Sequence, residues 1–232
     1  MVEAQHLIST LKLVDTLEEQ RLLEELIDRH KPALPKLPGL GRLHFLLFTP
    51  FRYPPLRHGS RFGRRDEPGI WYGSDELRTV FAEKAYYRFV FLSGSKADLS
   101  PISVEQTSFR AEVESRKGVD LSRPPFDAHR AAISSKTSYL ASQALGRAMR
   151  AAGAEAFRYF SARDAEGGTN IALFSPKAFA RASPRSPQTW ICIADRRRVR
   201  FTQKHALEAP SASFAFERSQ FEVGGQLPAP AL

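Results

Sequence analysis

Pro32, Pro35 and Pro38, with Gly39 and Gly41 behind them, cut the chain into two parts with different hydrophobic periods. No regular element runs through such a segment, because each proline lacks an amide donor and the glycines favour turns. Before it, Leu7, Leu11, Val14 and Leu17, then Leu22, Leu23 and Leu26, recur near helical spacing with charges between them, so residues 4–30 are expected to be helical. Thr16 followed three residues later by Glu19 has capping-box spacing, which starts a second helical segment there. After the break the runs are short and β-prone, and strands are expected over 43–49, 70–73, 88–92 and 102–114, the last alternating around Val104, Phe109 and Val113.

Helices interrupt these runs. Ser74, with Asp75 and Glu76 behind it, is expected to cap a helix to about residue 87, and another helix is expected over 137–152, ending at Gly153. Residues 156–161 and 169–174 read as a hairpin connected through Gly167 and Gly168. Later strands are expected over 189–194, 199–203 and 214–223, with a loose Pro- and Ala-rich end. Strands without regular crossover helices imply an α+β domain with a largely antiparallel sheet. The division expected is a helical extension over 1–40, the main domain over 41–210, and a C-terminal strand and tail over 211–232.

A chain of 232 residues with 42% hydrophobic content is long and apolar enough for one generous domain with a packed core. No apolar run approaches the roughly 18 residues of a spanning helix, and the first residues do not resemble a secretory signal, so no membrane association is expected. Cys192 is the single cysteine, which excludes an internal disulfide and a multi-cysteine zinc site and fits a cytoplasmic protein. The six histidines are scattered without metal-ligand spacing, so no metal is expected.

The net charge of +9 is uneven. Residues 41–65 hold six arginines and no acid, residues 181–204 hold seven basic residues against Asp195, and residues 1–40 carry five basic against seven acidic residues. Basic clusters suit an anionic partner, whether nucleic acid, a phosphorylated cofactor or an acidic protein surface; the plainer alternative is a solvated basic face. Several short motifs fail. Gly39-Leu-Gly41 follows a proline-rich linker rather than a strand, and Gly94-Ser95-Lys96 lacks the order of a phosphate loop, so both are turns. There is no GxSxG elbow for a nucleophilic hydrolase.

One stretch carries a stronger signal. Residues 59–83 contain Arg61-Phe62, Pro68-Gly69, Tyr72 and Ala82-Glu83 in that order. Further on come Gln143-Ala-Leu-Gly-Arg147, Gly153, Phe157-Arg-Tyr-Phe-Ser161-Ala-Arg163, Gly168 and Asn170-Ile-Ala-Leu-Phe174. Together these blocks resemble the signature of the RES-domain family, bacterial toxins paired with an Xre-type antitoxin. Arg61, Glu83 and Ser161 fill its three defining positions, over about residues 51–176. Gly63 stands where the family commonly has Asn, and one extra residue sits between Arg61 and Tyr72.

The resemblance implies a fold related to the diphtheria-type ADP-ribosyltransferases and chemistry on NAD+, either transfer of ADP-ribose to a protein or destruction of the free cofactor by hydrolysis or phosphorolysis. It implies catalytic roles for Glu83, Arg61 and Ser161, and cofactor binding by Arg61, Tyr72 and Ser161, with Arg52 as a secondary phosphate-binding candidate. A carboxylate such as Glu83 stabilises positive charge developing on the ribose. A ring such as Tyr72 stacks on nicotinamide, and a forked guanidinium such as Arg61 suits phosphate oxygens. Each has a plainer reading alone: a surface glutamate on the polar side of its helix, a mobile basic loop, a core tyrosine, a turn serine. Their joint order favours the family reading. The function expected is a growth-arresting toxin that transfers ADP-ribose to a cellular protein, is neutralised by an Xre-type antitoxin covering the cleft, and meets DNA only through that antitoxin. The rival is a nucleic-acid-binding module built on the two basic stretches, with Phe45, Phe48, Phe51 and Tyr53 interleaved.

Overall fold

The computed structural model describes residues 1–3, 13–53, 55, 58–97, 101–204 and 212–229. The expected helical turns around Leu7 and Leu11, Arg57 of the first basic stretch, and the chain's last three residues lie outside the described residues. Two sheets are present, consistent with the α+β reading. The first joins β1 (Val2–Glu3), β3 (Ile102–Arg110), β7 (Arg185–Ala194), β8 (Arg198–Gln203) and β9 (Ser213–Glu217) in the order β1-β3-β7-β8-β9, every pair antiparallel. The second has the order β2-β6-β5-β4, from β2 (Trp71–Ser74), β6 (Thr169–Leu173), β5 (Ala156–Phe160) and β4 (Gly118–Asp120), with only the β4–β5 pair parallel.

The period of two in β2, β5 and β6 sorts the second sheet's faces. Trp71, Ala156 and Leu173 point to one side, where they pack with Leu47 and Phe51 of α2 (Phe45–Arg52) and with Phe179. Phe157, Tyr159 and Ala172 point to the other, against Phe62 and against Met149 of α5 (Leu140–Ala151). A one-turn helix, α4 (Arg130–Ile133), adds Ile133 to that cluster. The long helix α3 (Leu77–Ser93) lies between the sheets, touching β2 on one and β8 and β9 on the other. Its Phe81, Ala85, Tyr86, Phe89 and Leu92 pack on Trp190, Cys192, Phe201 and Phe216 of the first sheet. Apart from these stands α1 (Leu17–His30), which opens with the expected reciprocal cap: the Glu19 amide donates to Thr16 Oγ1 and the Thr16 amide to the Glu19 carboxylate, both at 3.1 Å.

Four expectations are corrected. Residues 45–49 of the expected strand over 43–49 belong to helix α2; the His44 ring accepts the Leu46 amide at the cap, and Leu47 and Phe51, four apart, bury one stripe. Residues 88–92 are the last turns of α3, not a strand, because a helix buried against both sheets is apolar on more than one side and loses its period. Ser74 is the last residue of β2 and not a cap, since its hydroxyl donates to the Asn170 side chain instead, and α3 begins after Glu76. The last strand also stops at Glu217, where a 3-10 turn over Arg218–Gln220 takes over.

Candidate active site

A cleft of about 500 Å³ opens between α3, the end of α2, the turn at residues 59–63 and the edge formed by β2 and β6. Glu83, Arg61 and Tyr72 all line it, and Ser161 lies directly behind Glu83. Glu83 projects from the side of α3 turned away from the Phe81–Phe89 stripe. The Ser161 hydroxyl donates to its Oε1 at 2.7 Å and the Asn170 amide to the same oxygen at 2.8 Å. Among the described residues both bonds to the carboxylate converge on Oε1, which leaves Oε2 as the oxygen with no described partner.

Each anchor is itself held. Ser161 follows β5, and its oxygen accepts the backbone amides of Arg163 and Asp164, both at 3.0 Å. The Asp164 carboxylate accepts the Thr79 hydroxyl at 2.8 Å, tying this turn to the first turn of α3. Asn170 is oriented unambiguously: its oxygen accepts Ser74 Oγ at 2.6 Å, and its NH₂ must face the carboxylate, which only accepts. Ser161 and Asn170 are both buried, so the pair is shielded from competing water.

The turn carrying Arg61 is built by the helix that follows it in space, α5. Gly59 has φ +70° and a Cβ there would meet the Gly63 oxygen at 2.4 Å, so only glycine allows the tight Ser60–Gly63 pairing, in which the Ser60 amide reaches the Gly63 oxygen at 2.7 Å. Ser142 donates to the Arg61 carbonyl at 2.6 Å, and the Gln143 side chain donates to the Ser60 carbonyl at 3.0 Å. Arg61 itself is buried: its guanidinium lies 4.8 Å from the Tyr139 ring centroid and its Nη1 donates to the Ser135 carbonyl at 2.7 Å. Tyr72 closes the turn from beneath, its hydroxyl sharing a 2.9 Å hydrogen bond with Ser60 Oγ and accepting the Phe62 amide at 3.2 Å.

Burial pushes the Tyr72 phenol up to about 12, against the opposing pull of Ser60, the Phe62 amide and the Arg61 and Arg150 charges. Tyr72 therefore stays protonated at neutral pH and serves as a fixed donor and ring rather than as a base. Because its folded value lies above the ordinary tyrosine value of 10, its contribution to stability is complete below about pH 10 and is lost as the pH rises toward 12. Burial raises Tyr86 and Tyr159 as well. Thermal melting is expected to fall steeply above pH 10, and Tyr72→Phe to make that fall shallower; an unchanged slope would contradict the assignment.

Arg52 is not brought to the cleft. It ends α2, and its Nε donates to the Pro32 carbonyl at 2.6 Å, although its neighbours Pro50 and Tyr53 do line the opening. Asn170 and Tyr139 were missed from sequence. Asn170 is a polar residue at a buried position of an apolar strand, which is a detectable signal; the place of Tyr139 under Arg61 depends on how α5 docks. Several residues of the basic stretches have partners within the chain. Arg181 and Arg185 both pair with Glu112, Arg198 with Glu217 and Lys204 with Glu105, while Arg196 donates to the Ser95 and Ala97 carbonyls. Arg42 likewise donates to the Phe179 carbonyl. Among the described residues no helix is long and apolar enough to cross a membrane. No curated protein matches the chain. A family model described as the RES domain matches residues 36–195, more than half of the chain and all four of Arg61, Tyr72, Glu83 and Ser161.

Proposed function

The chain belongs to the RES-domain family, which is associated with NAD-acting enzymes, and from that premise we propose that it is a toxin that takes NAD+ and transfers its ADP-ribose to a cellular protein. The observation that carries this reading is a carboxylate held rigidly by two buried donors in a cleft that also presents an arginine and a tyrosine ring. A cleft of this volume lies within the range of small-molecule and cofactor sites. Breaking the bond between nicotinamide and ribose sends the bonding electrons to the leaving base and leaves positive charge on the sugar. Glu83 stabilises that charge, and because Ser161 and Asn170 fix it beforehand, no reorganisation is needed as the charge develops. Tyr72 presents its ring to the nicotinamide, and Arg61 supplies the positive charge for the phosphates.

Exposed Tyr53 and Tyr87 stand at the mouth of the cleft, where an acceptor protein can approach. The same mouth suits an Xre-type antitoxin that covers the site and brings any DNA contact with it. The pairing of four basic residues of the second stretch with Glu112, Glu217 and Glu105 lowers the net positive charge that this stretch presents, which weighs against the nucleic-acid alternative.

A time course with purified protein, labelled NAD+ and an antitoxin-free cell extract tests the proposal. Release of nicotinamide together with label on a discrete protein, both lost in Glu83→Ala, is the expected result. Loss of NAD+ without labelled protein would replace transfer by hydrolysis or phosphorolysis, which added phosphate separates; neither event would end the NAD+ reading. Ser161 and Asn170 are positioning residues in this scheme. Ser161→Ala and Asn170→Ala are each expected to lower kcat by about 10–100-fold with little change in KM, because a displaced carboxylate spoils only the reacting geometry. Ser161→Thr, which keeps the hydroxyl, should recover most of the loss.

A further inference from the structure

Helix α1 has an apolar stripe that the described residues leave largely uncovered. At 100° per residue Leu22, Leu23, Leu26 and Ile27 fall within an arc of about 140°, with Arg21, Glu24 and Glu25 on the opposite side, Glu18 and Arg29 along the border beside Leu22, and Glu19 and His30 at the two ends of the stripe. Leu22 is 56% exposed, Leu26 42% and Ile27 43%, and among the described side chains of α1 none is buried. The surroundings are apolar too: of the fourteen exposed large hydrophobic side chains among the described residues, six lie between Leu13 and Leu34. A helix of 14 residues is marginal alone in water, so it gains from a partner against this stripe.

The charges along the helix point to what that partner is. The first turn is acidic, with Glu18 and Glu19, and the last turn is basic, with Arg29 and His30. That order suits the helix's own dipole. It also makes the helix complementary to itself when reversed. In an antiparallel pair related by a two-fold axis, Leu22 meets Ile27 and Leu23 meets Leu26, while Glu19 comes against His30 and Glu18 toward Arg29 and Lys31 of the other copy. Such an interface is isologous, the commonest form in homodimers. A parallel pair would instead set acid against acid at one end and base against base at the other.

We propose that α1 is a self-association element, joining two copies of this chain through an antiparallel α1–α1 contact that buries the leucine stripe. This does not depend on the reading of the cleft, which lies on other elements. Two helices bury less than the 1,200–2,000 Å² of a typical stable interface, so the dimer is expected to be of about micromolar affinity.

Sedimentation equilibrium of the full chain from about 1 to 200 µM reads the association directly. The wild type is expected to be a reversible dimer. Leu23→Glu combined with Leu26→Glu should weaken it by about 100-fold or more while leaving NAD+ turnover and the melting profile of the main domain unchanged, since neither residue touches the cleft or the core. Two charge variants that leave the Thr16–Glu19 cap intact, Glu18→Lys and Arg29→Glu, should each weaken self-association by about tenfold. Mixing the two should restore wild-type affinity, because both ends are then complementary again. Simple damage to the helix would not be repaired by mixing. A wild type that stays monomeric to 200 µM, a dimer that survives the leucine substitutions, or a mixture no tighter than its components would each overturn the proposal; in the first case the stripe serves a different protein.

Discussion

Glu83→Gln is expected to reduce nicotinamide release by about 1,000-fold, the scale seen when a preorganised electrostatic contact to a transition state is removed. The substitution is nearly isosteric. The side-chain oxygen at the Oε1 position still accepts from Ser161 and Asn170, so the cleft keeps its shape and only the negative charge is lost. A melting curve within a few degrees of wild type, measured beside the nicotinamide assay, separates loss of chemistry from loss of fold. A Glu83→Gln variant retaining more than about a tenth of wild-type turnover would show that the charge of this carboxylate does not carry the reaction.

Gly146→Ala is expected to cost about 3 kcal/mol and to lower the melting temperature by about 6–12 °C. A Cβ on Gly146 would stand 2.0 Å from the Phe62 carbonyl oxygen and 2.9 Å from its carbon, and neither backbone atom can rotate aside. Helix α5 must then lift from the turn that holds Arg61, straining the Ser142 and Gln143 bonds that fix it. Activity should fall with stability, because the same contact positions Arg61. Gly41→Ala is the matching control: nothing lies within 4 Å of a Cβ there, and its effect should stay within about 0.5 kcal/mol. A Gly146→Ala variant that melts with the wild type would mean that α5 does not clamp the turn.

The parts legible from sequence are those set by local chemistry. Thr16 and Glu19 make their cap with bonds that need no other part of the chain. The β5–β6 hairpin follows from alternation and from Gly167, whose φ of +81° only glycine adopts readily. Gly153, at φ +75°, ends α5 for the same reason. The set Arg61, Tyr72, Glu83 and Ser161 was legible as an ordered resemblance, and three of them line one cleft with the fourth bonded to Glu83.

Tertiary structure decided what depends on which surfaces meet. Residues 88–92 and 45–49 are as apolar as strands, and only packing of α3 between two sheets and of α2 on Trp71 and Phe179 makes them helical. Arg52 and Arg61 are the same residue type in one basic stretch, yet one spends its charge on the Pro32 carbonyl and the other enters the cleft on Tyr139. Asn170 acquires its task because strand register places it beside Ser74, within reach of Glu83. Local bonds are written in residues a few positions apart, so the sequence alone determined the Thr16–Glu19 cap, the glycine turns and the alternation of β5 and β6. A side chain's task depends on neighbours tens of residues away, and those exist only once the two sheets have closed around α3.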